Sequence, residues 1–125
     1  MDDIYQEIIV DHYKNPRNFG DFNEANLTGR GANASCGDML EMYLLEKDGK
    51  IEKISFKGIG CAMTTASASM LTEEIVSKKM SVDQVLEMDE DDLVEIMGIE
   101  VSPTRRKCVE LPLRVLHDLL KKNDR

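Results

Sequence analysis

The sequence predicts an α+β fold: a small antiparallel sheet set between a leading helix and a run of later helices. Three observations carry this. Apolar residues recur at helical spacing at both ends of the chain. Strict alternation is confined to the stretch 40–57, and Asp48-Gly49 divides that stretch as a hairpin turn does. The 125 residues, 42 % of them hydrophobic, suit one domain spanning 1–125 with a modest core. No internal repeat, low-complexity tract or linker interrupts it.

Residues 3–13 read as an amphipathic helix, with Tyr5, Ile8, Ile9, His12 and Tyr13 as its stripe. Asn15-Pro16 stops it, because the residue before proline is pushed out of the helical region. Segment 21–35 is polar and glycine-containing, with one short edge strand around Leu27-Thr28-Gly29-Arg30. Leu40, Met42 and Leu44 then alternate with Glu41 and Tyr43, and Ile54 and Phe56 with Lys53, Ser55 and Lys57. That is the pattern of paired strands with one wet face. Gly58 and Gly60 end the sheet, where they allow close backbone approach or positive φ.

A helix over 62–77 follows, with Met63, Ala66, Ser67, Met70, Leu71 and Ile75 on one stripe. Its first turns are rich in Ala, Ser and Thr. Ser and Thr are mediocre helix formers, so the tract serves close packing rather than propensity. Ser81 reads as the N-cap of a short helix, and Gly98 as the end of another over 89–97. Ser102-Pro103 opens the last helical region. Leu111-Pro112 marks a point of interruption or restart, because proline suits a first turn and not an interior.

Composition excludes several functions. A formal charge of −8, no tryptophan and 5 % aromatics argue against nucleic acid, which needs a basic face or a stacking platform. The charge also disfavours anionic membranes, and no apolar run approaches the ~20 residues that span a bilayer. Met1 leads into a polar, acidic segment without a signal-peptide core, so a cytoplasmic location is expected. The runs Asp89-Glu90-Asp91-Asp92 and Arg105-Arg106-Lys107 read as solvated surface, the acidic one also as a helix start. No P-loop, dinucleotide fingerprint or metalloprotease helix motif is present.

The chemistry lies in three cysteines, Cys36, Cys61 and Cys108, with Asp38 two residues after the first. Three thiols and a carboxylate make the four ligands of a tetrahedral iron or zinc centre. Any one of the cysteines, taken alone, reads equally as a small buried hydrophobe, and Asp38 as a turn or cap residue. In a cytosolic chain, such thiols point to metal or redox chemistry more often than to disulfides. A thiol must lose its proton to ligate or attack. Cys61 stands where a helix should begin, and the dipole there favours thiolate. The cations before Cys108 would act likewise. Asp38 would face the same side as Cys36 if the backbone is extended, and oxygen is the weaker partner for a soft centre, so Asp38 is the ligand most easily released. His12 and His117 read as packing or surface residues. Lys107 reads either as a solvated lysine or as a reversible fourth group, paired with Asp38 or near the cluster. A purely structural zinc domain is disfavoured by the absence of C-x-x-C spacing.

The run Asp11-His12-Tyr13-Lys14-Asn15-Pro16-Arg17-Asn18-Phe19-Gly20, with Cys36-Gly37-Asp38, Gly58-Ile59-Gly60-Cys61, Ala66-Ser67-Ala68-Ser69 and Lys107-Cys108, resembles the IscU/SufU (NifU N-terminal) proteins of iron–sulfur cluster assembly. The likeness spans nearly the whole chain. It implies a three-stranded antiparallel sheet packed by about five helices, and thiols on loops at one end that build a [2Fe-2S] cluster. It implies Cys36, Asp38, Cys61 and Cys108 as the ligand set. The implied partners are a pyridoxal-phosphate cysteine desulfurase, which supplies sulfur as persulfide, and recipient apo-proteins, with the chain a monomer or a cluster-linked homodimer. Such a scaffold is a carrier rather than an enzyme. IscU-type chains have histidine before the third cysteine, whereas Lys107 and Arg105 follow the SufU type. That type implies a Zn2+-dependent sulfurtransferase with Cys108 as persulfide acceptor. SufU-type chains also carry an insertion between the second and third cysteines that this chain is too short to hold. The segment Val101-Ser102-Pro103-Thr104-Arg105 departs from the proline-rich chaperone-recognition segment of many IscU proteins.

Overall fold

A computed structural model describes residues 3–34 and 37–123, with side chains from 6 to 121 within those limits. Helix α1 (Asp3–Lys14) precedes strands β1 (Leu27–Asn33), β2 (Asp38–Lys47) and β3 (Lys50–Ile59). Helices α2 (Ala62–Ser77), α3 (Val82–Glu87), α4 (Glu90–Met97) and α5 (Pro103–Asn123) follow. The sheet is antiparallel in the order β1-β2-β3, as expected of a chain of this α+β class.

The hairpin forms because Asp48 and Gly49 both take positive φ, 53° and 78°. That backbone matches the twist of the flanking strands. Leu40, Met42 and Leu44 of β2 and Ile54 and Phe56 of β3 bury one face of the sheet. Asp38 lies in the same row, two residues before Leu40. The outer edge of β3 is engaged by residues 18–20: Phe56 N–H donates to Asn18 O, and Gly20 N–H to Phe56 O. Phe19 stacks edge-on against Phe56.

Strand β1 is longer than its sequence suggests, seven residues instead of about four. Its inner face carries Gly29 and Gly31 where apolar side chains would signal a strand. A Cβ on Gly31 would come within 2.8 Å of Val115 Cγ2, and one on Gly29 within 3.0 Å of Leu119 Cβ. The apolar surface of that face is thus supplied by α5. Strand β3 runs through Gly58 to Ile59, so Gly58 does not end the sheet. A Cβ there would fall 2.2 Å from Met39 O.

Helix α2 is the central post, and its buried residues surround it rather than forming one stripe. Its hydroxyls tie neighbours to it. Ser67 Oγ donates to Val109 O of α5, and Thr72 Oγ1 accepts from Asn18 Nδ2. Short α3 and α4 begin with capping boxes, Ser81 with Gln84 and Asp89 with Asp92, and α4 ends at left-handed Gly98.

The expected break at Pro112 does not occur; α5 runs through it. Proline has no N–H for the carbonyl four residues back, which is that of Cys108. The helix continues because Leu111, Leu113, Val115 and Leu116 around it are all buried. In α1 the expected stripe narrows. Ile9 and His12 are buried, while Ile8 and Tyr13 are exposed. Among the described residues no helix is long and apolar enough to cross a membrane.

Candidate metal centre

Asp38 opens β2 and is fully buried, at 0 % exposure. A carboxylate can be buried only if its lone pairs are satisfied. Its Oδ1 accepts from Cys61 N–H at 2.9 Å and its Oδ2 from the Thr64 hydroxyl at 3.0 Å. Burial pushes the carboxyl pKa up. Hydrogen bonds from Cys61 N–H, Thr64, Cys108 and Asn33 outweigh it, and the group stays below the usual carboxylate range. Cys61 is the N-cap of α2. Asp38 therefore puts a negative charge where the helix dipole favours one.

Gly60 makes the approach possible. A Cβ at this residue would lie 2.9 Å from Asp38 Oδ1 and 3.4 Å from Thr64 Cβ. Gly60 is thus required for space, not for positive φ. Gly37, by contrast, has left-handed backbone, φ 71°. The extended backbone supposed between Cys36 and Asp38 is therefore broken at Gly37.

The sulfurs of Cys61 and Cys108 and a carboxylate oxygen of Asp38 all lie within 4.8 Å of one another. Tetrahedral ligands at zinc–sulfur distances of about 2.3 Å stand roughly 3.8 Å apart, so a small inward adjustment encloses a cation. The donor set, two sulfurs and one oxygen from three separate elements, fits zinc or iron. Both cysteines are free thiols. Burial pushes the Cys61 thiol pKa up. Contacts with Thr64 and Cys108 outweigh this and bring it below its ordinary value, against the opposing Asp38 charge. Cys36, the remaining expected ligand, lies outside the described residues.

This placement of distant thiols is matched by the likeness of the whole chain. The NifU-like N terminal domain matches residues 4–124. The chain belongs to that family. Its relatives carry the names IscU and SufU. It is 36 % identical to iron–sulfur cluster assembly scaffold protein IscU 1 of Archaeoglobus fulgidus over 76 % of this chain and 61 % of that protein. The chain thus spans less than two thirds of that archaeal relative. It is 31 % identical to the zinc-dependent sulfurtransferase SufU of Bacillus subtilis, covering 93 % of this chain and 88 % of that one. A crystal structure of a SUF-system scaffold candidate from Fervidobacterium islandicum AW-1 superposes with a TM-score of 0.72 at 27 % identity, covering 94 % and 96 % of the two chains. A NifU-like N-terminal structure from Brucella abortus shares the fold, with a TM-score of 0.79 at 18 % identity over 98 % and 96 %.

Within this family fold the other sequence candidates fall outside the centre. His12 is a packing residue, 4 % exposed, with Nδ1 2.7 Å from Ser69 Oγ. Ser69 Oγ accepts from Arg17 N–H, so its own hydrogen is free to go to His12 Nδ1. His117 Nε2 meets Val85 O at 2.8 Å and ties α5 to α3. Lys107 is exposed, and among the described residues its side chain makes no ion pair with Asp38. Its backbone carbonyl is the part engaged, by Asn33.

Sequence reasoning missed Thr64 and Asn33. Thr64 Oγ1 reaches Asp38 at 3.0 Å and Cys61 Sγ at 3.4 Å. Its one hydrogen goes to Asp38 Oδ2. Its oxygen remains within hydrogen-bond distance of the Cys61 thiol. The available signal was a hydroxyl three residues after Cys61, one helical turn on.

Proposed function

We propose that the chain is a scaffold on which an iron–sulfur cluster is assembled and from which it is passed on. The observation that carries this is the convergence of Asp38, Cys61 and Cys108 ligand atoms within 4.8 Å. In this reading Cys36, Asp38, Cys61 and Cys108 hold a [2Fe-2S] cargo. Sulfur comes as persulfide from a pyridoxal-phosphate cysteine desulfurase, and the cargo leaves to recipient apo-proteins. A cytoplasmic setting suits free thiols.

Asp38 gives release a physical basis. Its oxygens have partners ready in the protein, Cys61 N–H and Thr64. A carboxylate leaving the metal returns to satisfied hydrogen bonds, so detachment is cheap. Thiolates bind iron more tightly and hold the rest.

Anaerobic reconstitution with iron and sulfide tests the reading. Visible absorption with two iron and two acid-labile sulfides per site supports it, and a colourless protein without iron rejects it. Asp38→Ala should lengthen cluster lifetime or slow transfer to an apo-ferredoxin. Unchanged transfer would reject the release role.

A second reading is favoured by Lys107 standing exposed before Cys108 and by the likeness to the zinc-dependent sulfurtransferase. Bound Zn2+ would then neutralise and hold thiolates. The Cys108 thiolate would attack the outer sulfur of the desulfurase persulfide. A new S–S bond forms on Cys108, the old one breaks, and the desulfurase cysteine leaves as thiolate. A tightly held zinc, with mass spectrometry placing one extra sulfur on Cys108, would select this reading. Extra sulfur on another cysteine would reject Cys108 as acceptor.

A further inference from the structure

The inner face of β1 meets α5 residue by residue. Gly29 lies against Leu119, and Gly31 against Val115 and Leu111. At the next inner position, beside the metal centre, stands Asn33, a polar residue at 8 % exposure. Its Nδ2 donates to Lys107 O at 2.7 Å, across 74 residues of sequence. Its Oδ1 accepts from Arg114 Nη2 at 2.8 Å. Among the described residues no ion pair of the exposed Arg114 competes with this bond.

The location is specific. Asn33 pairs in register with Asp38. Lys107 immediately precedes Cys108, and Pro112 withholds an N–H from the Cys108 carbonyl. The first turns of α5 therefore lose a helical bond at the cysteine itself. The amide of Asn33 grips the preceding peptide, and Arg114 fixes the amide from beyond the proline.

We propose that Asn33 and Arg114 form a tether that holds the Cys108 turn of α5 against Asp38, and that they are positioning residues for the metal centre. The proposal rests on the metal-binding reading of the site but can be tested apart from it. The tether spans Pro112, joining the two halves of α5 through a side chain of β1. Ligand separation is then set by one buried amide rather than by the helix alone.

The test compares wild type with Asn33→Leu, Arg114→Met and Arg114→Lys. In chelator-treated protein, a slow alkylating agent labels thiols, and peptide mass spectrometry gives the Cys108 to Cys61 rate ratio. Cys108 is 5 % exposed. Freed from the tether, it should react several-fold faster relative to Cys61 in Asn33→Leu and Arg114→Met. Arg114→Lys should restore most of the wild-type ratio. Zinc affinity, read by chelator competition, should fall about 10-fold in the first two, the usual effect of losing a residue that orients a ligand. If Asn33→Leu fails to fold, Arg114→Met carries the same comparison. An unchanged ratio overturns the tether. So does a rise of both thiols together in step with lower thermal stability, because that marks a general structural role. If wild type takes up neither zinc nor cluster, the metal reading falls while the alkylation ratio still judges the tether.

Discussion

The helix caps of α3 and α4 and the metal centre are held by different kinds of side-chain hydrogen bond. At the caps the bonds are local: Ser81 with Gln84, and Asp89 with Asp92, three residues apart. At the metal end the bonds are distant. Asp38 reaches Cys61 and Thr64 across 23 and 26 residues, and Asn33 reaches Lys107 and Arg114 across 74 and 81. Local bonds set where helices start and cost little chain entropy. Distant bonds form only once the fold is in place, and they place chemistry rather than elements.

The sharpest way to separate the caps from the centre is to remove a proposed ligand. Cys61→Ser keeps a hydroxyl near Thr64 and leaves the sheet and helices intact. Zinc affinity should fall by more than about 100-fold, beyond the range seen for orienting residues. The melting temperature of metal-free protein should barely move. A large drop in that temperature would show that Cys61 is part of the core and would blur the contrast.

Gly60→Ala comes next in size. The new Cβ must displace the Asp38 carboxylate or Thr64. Zinc affinity should fall about 10-fold, and stability by ~1–3 kcal/mol, the cost of overpacking. Chelator competition and urea unfolding read the two effects. Wild-type values for both would mean that the carboxylate yields freely, contrary to its hydrogen bonding.

This contrast explains what the sequence made legible. The capping residues, the Asp48-Gly49 turn and the alternating rows of β2 and β3 are local patterns, and they marked their elements. The full length of β1 was hidden because Gly29 and Gly31 stand where its apolar residues would be; the missing surface is Leu119 and Val115, far along the chain. Pro112 misled for a related reason. Local chemistry argues for a break, but burial of Leu111, Leu113 and Val115 holds the helix together. At the site, residue type alone suggested Asp38, Cys61 and Cys108. Asn33 carries no mark in the sequence and Thr64 only its spacing from Cys61, because an amide or hydroxyl gains its role from partners that only the fold supplies.

At the local caps, Ser81→Ala and Asp89→Ala should each cost about 1 kcal/mol and leave zinc affinity unchanged. Denaturant unfolding and chelator competition check the pair. A change in zinc affinity from either cap would show that the caps and the centre are coupled.

The smallest effect tests whether the α1 side behaves like the metal end without holding a metal. His12 bonds Ser69 across 57 residues, yet it lies outside the ligand set. Burial holds its pKa below the ordinary imidazole range, and the Arg17 charge adds to this, against Glu73 and Asp11. The unfolded chain therefore binds a proton at His12 more readily than the folded one. Stability at this residue is fully present above the unfolded pKa and is lost as pH falls from there toward the folded pKa. The slope is at most about 1.4 kcal/mol per pH unit inside that window. His12→Gln keeps an acceptor for the Ser69 hydroxyl and removes the titration. Metal-free variant and wild type, unfolded by urea between pH 7 and pH 5, should converge as pH falls, because only wild type loses the neutral-ring advantage. Parallel curves would show that His12 takes up its proton equally in both states, and that its buried hydrogen bond does not discriminate between neutral and charged imidazole.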